Sequence, residues 1–152
     1  MYTKLSLVLF LFSIKLFGTS YVTPKLSDLV EKADHIIIAK IYKVDMIDWN
    51  GNEVKDLKAR TGPGGTNRIR FHLEVKTAEF ILNGEKQKPK EIIVTLDHYQ
   101  HLTLGGVKSI HEGKEYIFLL QGEKYQSVYP YFFRREITEK KKILEIKEKM
   151  KK

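Results

Sequence analysis

Between Arg68 and Lys76 the chain alternates without a fault. Ile69, Phe71, Leu73 and Val75 fall on one side; Arg68, Arg70, His72, Glu74 and Lys76 fall on the other. A period of two sends successive side chains to opposite faces, so this segment predicts a strand with one buried and one wet face. Glu91 to Asp97 alternates again, with Ile92, Val94 and Leu96 inward. His35 to Ile47 opens as a continuous Ile-rich run and later mixes in Lys40, Lys43 and Asp45, which predicts a long strand, buried first and edge-like or bulged later. Tyr116 to Leu120 is apolar throughout, as a central strand would be. Phe80 to Leu82 leads into Asn83-Gly84, a turn, and Gly105-Gly106 marks another. Gln121 to Lys124 reads as a hairpin loop from which Tyr125 to Tyr129 returns. Five or six turn-bounded strands without βαβ alternation predict a mainly β (α+β) chain, a small antiparallel barrel or sandwich.

Two helices flank the strands. Ser27 to Ala33 predicts a short one, with Ser27 as N-cap and Asp28 and Glu31 near its start. Residues 137–152 predict a basic C-terminal helix capped by Thr138, with Ile143, Ile146 and Met150 as an apolar stripe, Leu144 adjoining and Ile137 one heptad earlier. The plainer expectation packs that stripe on the domain; the sharper one lays a basic amphipathic helix on anionic lipid or a partner.

The first twenty residues read as an address. A short start with Lys4, an apolar run from Leu5 to Phe17, and Gly18 and Ser20 before Tyr21 form the three-part pattern of a signal peptide. The run is short for a bilayer span, which needs about 20 apolar residues. The alternative is an uncleaved anchor. The expectation is an exported protein, periplasmic or secreted, with a body over 21–136 and no transmembrane span after cleavage.

Composition narrows the classes. With 42% hydrophobic and 30% charged residues the chain is a folding one, and zero cysteines exclude disulfides, thiolate nucleophiles and cysteine-ligated metal. The net charge of +8 invites a nucleic-acid reading, but its distribution withdraws the invitation. Lys4 and Lys15 belong to the leader, and Arg134 to Lys152 carries nine basic and four acidic residues, which leaves a net of +1 for residues 21–133. A nucleic-acid surface spreads charge across a face of the fold, so no such partner is expected.

The order of segments resembles a known group. "LSDLVEKADHIIIAKIYKV", an alternating strand followed by "EFILNG", then "KEIIVTL" and "EGKEYIFLL" resemble small exported bacterial proteins with a netrin-like OB-fold, shared with tissue inhibitors of metalloproteinases. The resemblance runs from about Leu26 to Leu120. It implies an OB-like barrel and a binding or inhibitory module more than an enzyme. Those inhibitors chelate zinc through an amino-terminal cysteine. This chain has no cysteine, so that role does not transfer.

Chemistry is sparse. None of Ser27, Ser109 and Ser127 sits in a nucleophile elbow, and Gly62 to Gly65 lacks the Lys-Ser/Thr of a phosphate loop. No cofactor is expected. His98, His101 and His111 are candidate metal ligands, with no motif spacing and in a stretch that reads as loop; exposed loop histidines are the alternative. Asp48 to Asn67 is a long polar loop of turn chemistry with Trp49, the single tryptophan, at its start. Trp49 is expected either to fold back over a core edge or to meet a partner. Tyr129 to Arg135 is dense in aromatics and ends on two arginines; the alternatives are a last strand packing its rings inward and an interface. Candidate partner contacts are Trp49, Arg68, Arg70, Tyr131, Arg134 and Arg135. The expected function is a non-catalytic binding protein, an inhibitor or immunity-type partner of another exported protein. The alternatives are a metal-binding protein or metal-dependent enzyme built on the three histidines, and envelope association through the C-terminal helix.

Overall fold

A computed structural model describes residues 23–61, 67–85, 87–97, 99 and 102–151. The signal-peptide expectation, the glycines at 62, 64 and 65, and His98 and His101 lie outside the described residues.

The architecture is mainly β: one antiparallel sheet with three helices. In chain order come α1 (Leu26–Lys32), β1 (His35–Asp48), β2 (Asn67–Leu73), β3 (Glu79–Leu82), β4 (Ile92–Leu96), α2 (Leu104–His111), β5 (Glu115–Gln121), β6 (Gln126–Ser127), β7 (Arg134–Arg135), a 3-10 turn (Ile137–Glu139) and α3 (Lys140–Met150). β1 is the spine. Its first half pairs β5 on one edge and β3 on the other, and its second half pairs β2. The two halves meet at a register shift between Ile41 and Lys43, the bulge that the mixed second half of the segment predicts. Glu112 fastens the bulge by accepting the Val44 N–H at 2.7 Å.

The alternating segments fold as their pattern requires. Ile69, Phe71 and Leu73 of β2, Ile92, Val94 and Leu96 of β4, and Ile117 to Leu120 of β5 are all buried in one core with Phe133 and Ile143. The wet face of β2 is drier than expected: His72 is buried, covered by Tyr42 in edge-on contact at 5.8 Å and held by Asp45.

The sheet runs β4-β2-β1-β5-β6 and is not closed by hydrogen bonds, so the expected barrel stops short at two free edges. β4 and β6 flank a groove lined by Thr95, Leu96, Asp97, Gln126, Ser127 and Pro130. The edge of β3 is treated differently. There two lysines of α3, which itself packs on α1, reach the strand: Lys147 donates to the Ile81 carbonyl and Lys140 pairs with Glu79 at 2.8 Å.

Three local expectations are corrected. Ser27 does not cap α1; the cap position is Lys25, and the Ser27 hydroxyl donates to Asp28. Thr138 lies inside the 3-10 turn, and the N-cap position of α3 is Glu139, whose side chain makes no capping hydrogen bond. Gly105-Gly106 is not a turn but the first turn of α2, with the Thr103 hydroxyl accepting the Gly106 N–H. Each glycine costs roughly 1 kcal/mol against alanine in a helix interior, which is why the pair reads as a breaker. The long loop explains it. Leu104 and Gly105 donate their N–H groups to the carbonyls of Ala59 and Leu57 at 2.8 and 2.9 Å, satisfying helix-end donors that would otherwise be orphaned. A Cβ on Gly105 would meet the Leu57 carbonyl at 3.3 Å, so glycine permits the close approach.

Candidate binding face

The outer face of β1, β2 and β4 carries the polar side chains that the core rejects. Cross-strand register places Lys43 opposite His72, Asp45 opposite Arg70 and Ile47 opposite Arg68, with Thr95 beside Arg70 and Ile93 beside His72. Directly opposed side chains share a face and touch.

Asp45 is the hub. Only 4% exposed, it accepts from Arg70 through both oxygens at 2.6 and 2.8 Å, from Lys43 at 2.9 Å, and lies 3.0 Å from His72 Nε2. Burial alone would raise its pKa, but the hydrogen bonds from Arg70 and Lys43 outweigh it and hold Asp45 at about 2. The same carboxylate raises the pKa of Arg70. The fork of Arg70 is therefore occupied from within, and this arginine is a scaffold residue of the face rather than an open contact.

Among the described residues Arg68, two positions earlier, has no carboxylate in salt-bridge range and no hydrogen-bond partner for its buried Nε. Its guanidinium stacks over the Trp49 ring at 5.1 Å, and one Nη donates to the Asp48 carbonyl at 3.3 Å. Trp49 is 57% exposed, which overturns the expectation that it folds back over the core. The stacked pair heads a cavity of about 390 Å³ shared with Ile93, Thr95, Asp97, Lys124 and Gln126. Thr95, Asp97 and Gln126 also line the groove between β4 and β6, so the two recesses share these three residues, and Pro130 of the groove precedes the half-buried Tyr131. Asp97, Lys124 and Gln126 were not among the expected contacts. The alternation of Glu91 to Asp97 does point Ile93, Thr95 and Asp97 outward; only the folding of the hairpin beside them shows that they face Lys124 and Gln126.

The remaining candidates lie elsewhere. Arg134 is drawn inward. Its Nη1 lies 3.1 Å from the Tyr99 hydroxyl and 2.9 and 3.0 Å from the two ring nitrogens of His111, and its guanidinium stacks on Tyr116 at 4.5 Å. A nitrogen nearly equidistant from both ring nitrogens sits over the imidazole rather than in its plane. The in-plane positions belong to Tyr99, 2.8 Å from Nε2, and Tyr116, 3.2 Å from Nδ1. A neutral imidazole has one donor and one acceptor, so one tyrosine accepts and the other donates. Burial, then the charges of Arg134 and Lys114, lower the His111 pKa to about 4. His111 is thus helical, buried and engaged at both nitrogens, and not a histidine of an exposed loop. Among the described residues no group of three or more His, Asp or Glu is arranged to hold a metal. Arg135 pairs with Ile117 across the ladder and is half-buried, its Nε without a hydrogen-bond partner among the described residues. Of the aromatics before it, Phe133 enters the core and Tyr129 stays 37% exposed.

On α3, Ile143 is fully buried and Ile146 packs against the core, as does Ile137 of the 3-10 turn before it, while Leu144 and Met150 are exposed. Two of its lysines, Lys140 and Lys147, are spent on β3. Among the described residues no helix is long and apolar enough to cross a membrane. No family model, curated protein or solved structure matches the chain.

Proposed function

We propose that this chain is an exported, non-catalytic binding protein with an OB-like barrel, acting as an inhibitor or immunity-type partner of another exported protein, with Trp49 and Arg68 as the anchors of its interface. The observation that carries the reading is the exposed Trp49 stacked with Arg68 beside a recess lined by Thr95, Asp97, Lys124 and Gln126. Tryptophan and arginine are the residue types over-represented among the contacts that dominate binding energy. The barrel reading is supported by the five-strand path and by its two free edges lying on either side of one groove, in keeping with the partly open barrel of OB-folds. The export reading rests on the residue pattern of positions 1–20.

The test is capture from an envelope extract with the chain beginning at Tyr21, set beside Trp49→Ala and Arg68→Ala. The substitutions are preferred to deletion of residues 48–67, because Leu57 and Ala59 of that loop hold the start of α2. A protein retained by the parent and lost on the order of tenfold or more by Trp49→Ala supports the reading, a change of about 1.4 kcal/mol or more. Equal capture by all three, or none by the parent, sinks it.

A further inference from the structure

We infer, on the reading of Trp49 and Arg68 as interface anchors, that the recess beside them receives a carboxylate side chain of the partner, held by Arg68 and Lys124. The recess, of about 390 Å³, has three charged residues in its lining: Arg68, Asp97 and Lys124. Among the described residues none of the three has an ion-pair partner. That sets them apart from the neighbouring charges of the same face, where Asp45 takes up both Lys43 and Arg70. Asp48 does not supply the missing anion. Its carboxylate accepts the Asn52 N–H and side-chain amide at 2.9 and 3.0 Å, and only its main-chain carbonyl meets Arg68. Two cations and one carboxylate leave the recess one positive charge in excess. One incoming carboxylate brings it to neutrality, whereas a phosphate, at about −1.5 to −2, would leave it negative beside Asp97. Guanidinium donors to a carboxylate are roughly twice as strong as neutral hydrogen bonds. The aliphatic stem of the incoming aspartate or glutamate finds apolar walls in Trp49 and Ile93.

Lys124 is presented by a strained hairpin. Tyr125, next in the chain, has a φ of 51°, a left-handed conformation that a Cβ disfavours. Its surroundings hold it there. The ring lies 4.4 Å from the His35 ring, the hydroxyl donates to Glu85 at 3.0 Å, and the N–H donates to the Gly122 carbonyl at 3.1 Å. Gly122 in turn donates its N–H to the Asp34 carboxylate at 2.7 Å. Lys124 and Gln126, on either side of Tyr125, both line the recess. A residue other than glycine persists in such a conformation only where the structure over-determines it, and such residues cluster at ligand clamps and active sites. The hairpin thus fixes the backbone of Lys124 at the recess before a partner arrives, which lowers the ordering cost of binding.

The single tryptophan makes the recess its own reporter. The full chain is titrated at low ionic strength with hexaglutamate, hexaglutamine and hexalysine while Trp49 emission is followed. Hexaglutamate shifts the emission saturably and the other two do not. Silence with hexaglutamate, or an equal response to hexaglutamine, overturns the proposal. Lys124→Glu weakens the hexaglutamate response on the order of tenfold or more, and Asp97→Asn, which removes the competing anion, strengthens it. The matched charge changes Lys141→Glu and Glu148→Gln on α3 do neither. Equal effects at the matched positions mean a response to net charge alone and overturn the proposal. All four positions are exposed, and circular dichroism checks that each variant keeps the fold. If Lys124→Glu does not fold, Asp97→Asn against Glu148→Gln decides. A protein captured by the parent together with a silent hexaglutamate titration overturns the carboxylate and leaves the interface at Trp49 and Arg68 standing. A saturable titration with no captured protein supports the recess as a carboxylate site and sinks the protein partner alone.

Discussion

Two buried polar clusters, one on each side of the β1–β2 sheet, solve the same problem by opposite means. On the outer face Asp45 is kept charged by Arg70 and Lys43, with His72 alongside. On the inner side His111 is kept neutral, between two tyrosine hydroxyls and under Arg134, with no carboxylate within ion-pair range among the described residues. Burying a polar group is tolerable when its donors and acceptors are matched, and burying a charge when it is paired. The outer cluster follows the second rule and the inner one the first. The contrast shows that an arginine beside a buried group need not be an ion-pair partner: Arg70 neutralises, whereas Arg134 raises the cost of a second positive charge.

The largest expected effect comes from removing the outer anion. Asp45→Ala leaves Arg70, Lys43 and His72 facing one another with only the more exposed Glu91, 3.7 Å from His72 Nδ1, as a nearby counter-charge. Arg70 and Lys43 keep part of their contact with water, so the loss is smaller than for a sealed pair, about 2 kcal/mol. Urea melts should show that loss, and a loss below about 1 kcal/mol would mean that the hub is solvated rather than sealed.

Acid separates the two clusters by pH window. The folded pKa of His111, about 4, is below its ordinary 6.5, so the unfolded chain binds the proton first. Its contribution is intact above about 6.5 and is lost as the pH falls towards 4. Asp45 is likewise depressed, from 3.8 to about 2, and its contribution is lost only below the ordinary carboxylate range. Stability should therefore decline in two stages, and His111→Leu should remove the slope of the upper stage alone. A single decline below pH 4 in the parent would show that His111 is protonated at little cost.

A smaller effect tests the neutral cluster without changing its charge. Tyr99→Phe removes the hydroxyl that lies 2.8 Å from His111 Nε2 and 3.1 Å from Arg134. One unmatched buried nitrogen costs about 1–2 kcal/mol. Tyr42→Phe, on a residue half exposed over His72, should cost much less in the same melts.

How much of this was legible followed from the range of the interactions. The strands around Phe71, Val94 and Phe118 could be read because alternation and apolar runs are local consequences of which face is buried. The helical state of Gly105-Gly106 could not, because it depends on the carbonyls of Leu57 and Ala59, some fifty residues earlier. The open edge between β4 and β6 has the same origin, since no local pattern says whether two edges that approach will pair. Among the candidate contacts, alternation put Arg68 and Arg70 on one face with equal warrant. What parted them was Asp45, opposite Arg70 in register, and Trp49 beneath Arg68.

That last difference carries the smallest expected change in stability and the largest in binding. Trp49 is more than half exposed, so Trp49→Ala should move the melting free energy by no more than about 0.5 kcal/mol. Removing the ring also gives the buried Arg68 Nε access to water, which offsets part of the lost stacking. Under the proposed function, a tryptophan whose loss costs the fold so little would owe its place to the partner it meets. If Trp49→Ala instead costs as much as Asp45→Ala, the ring belongs to the fold, and the face loses its anchor.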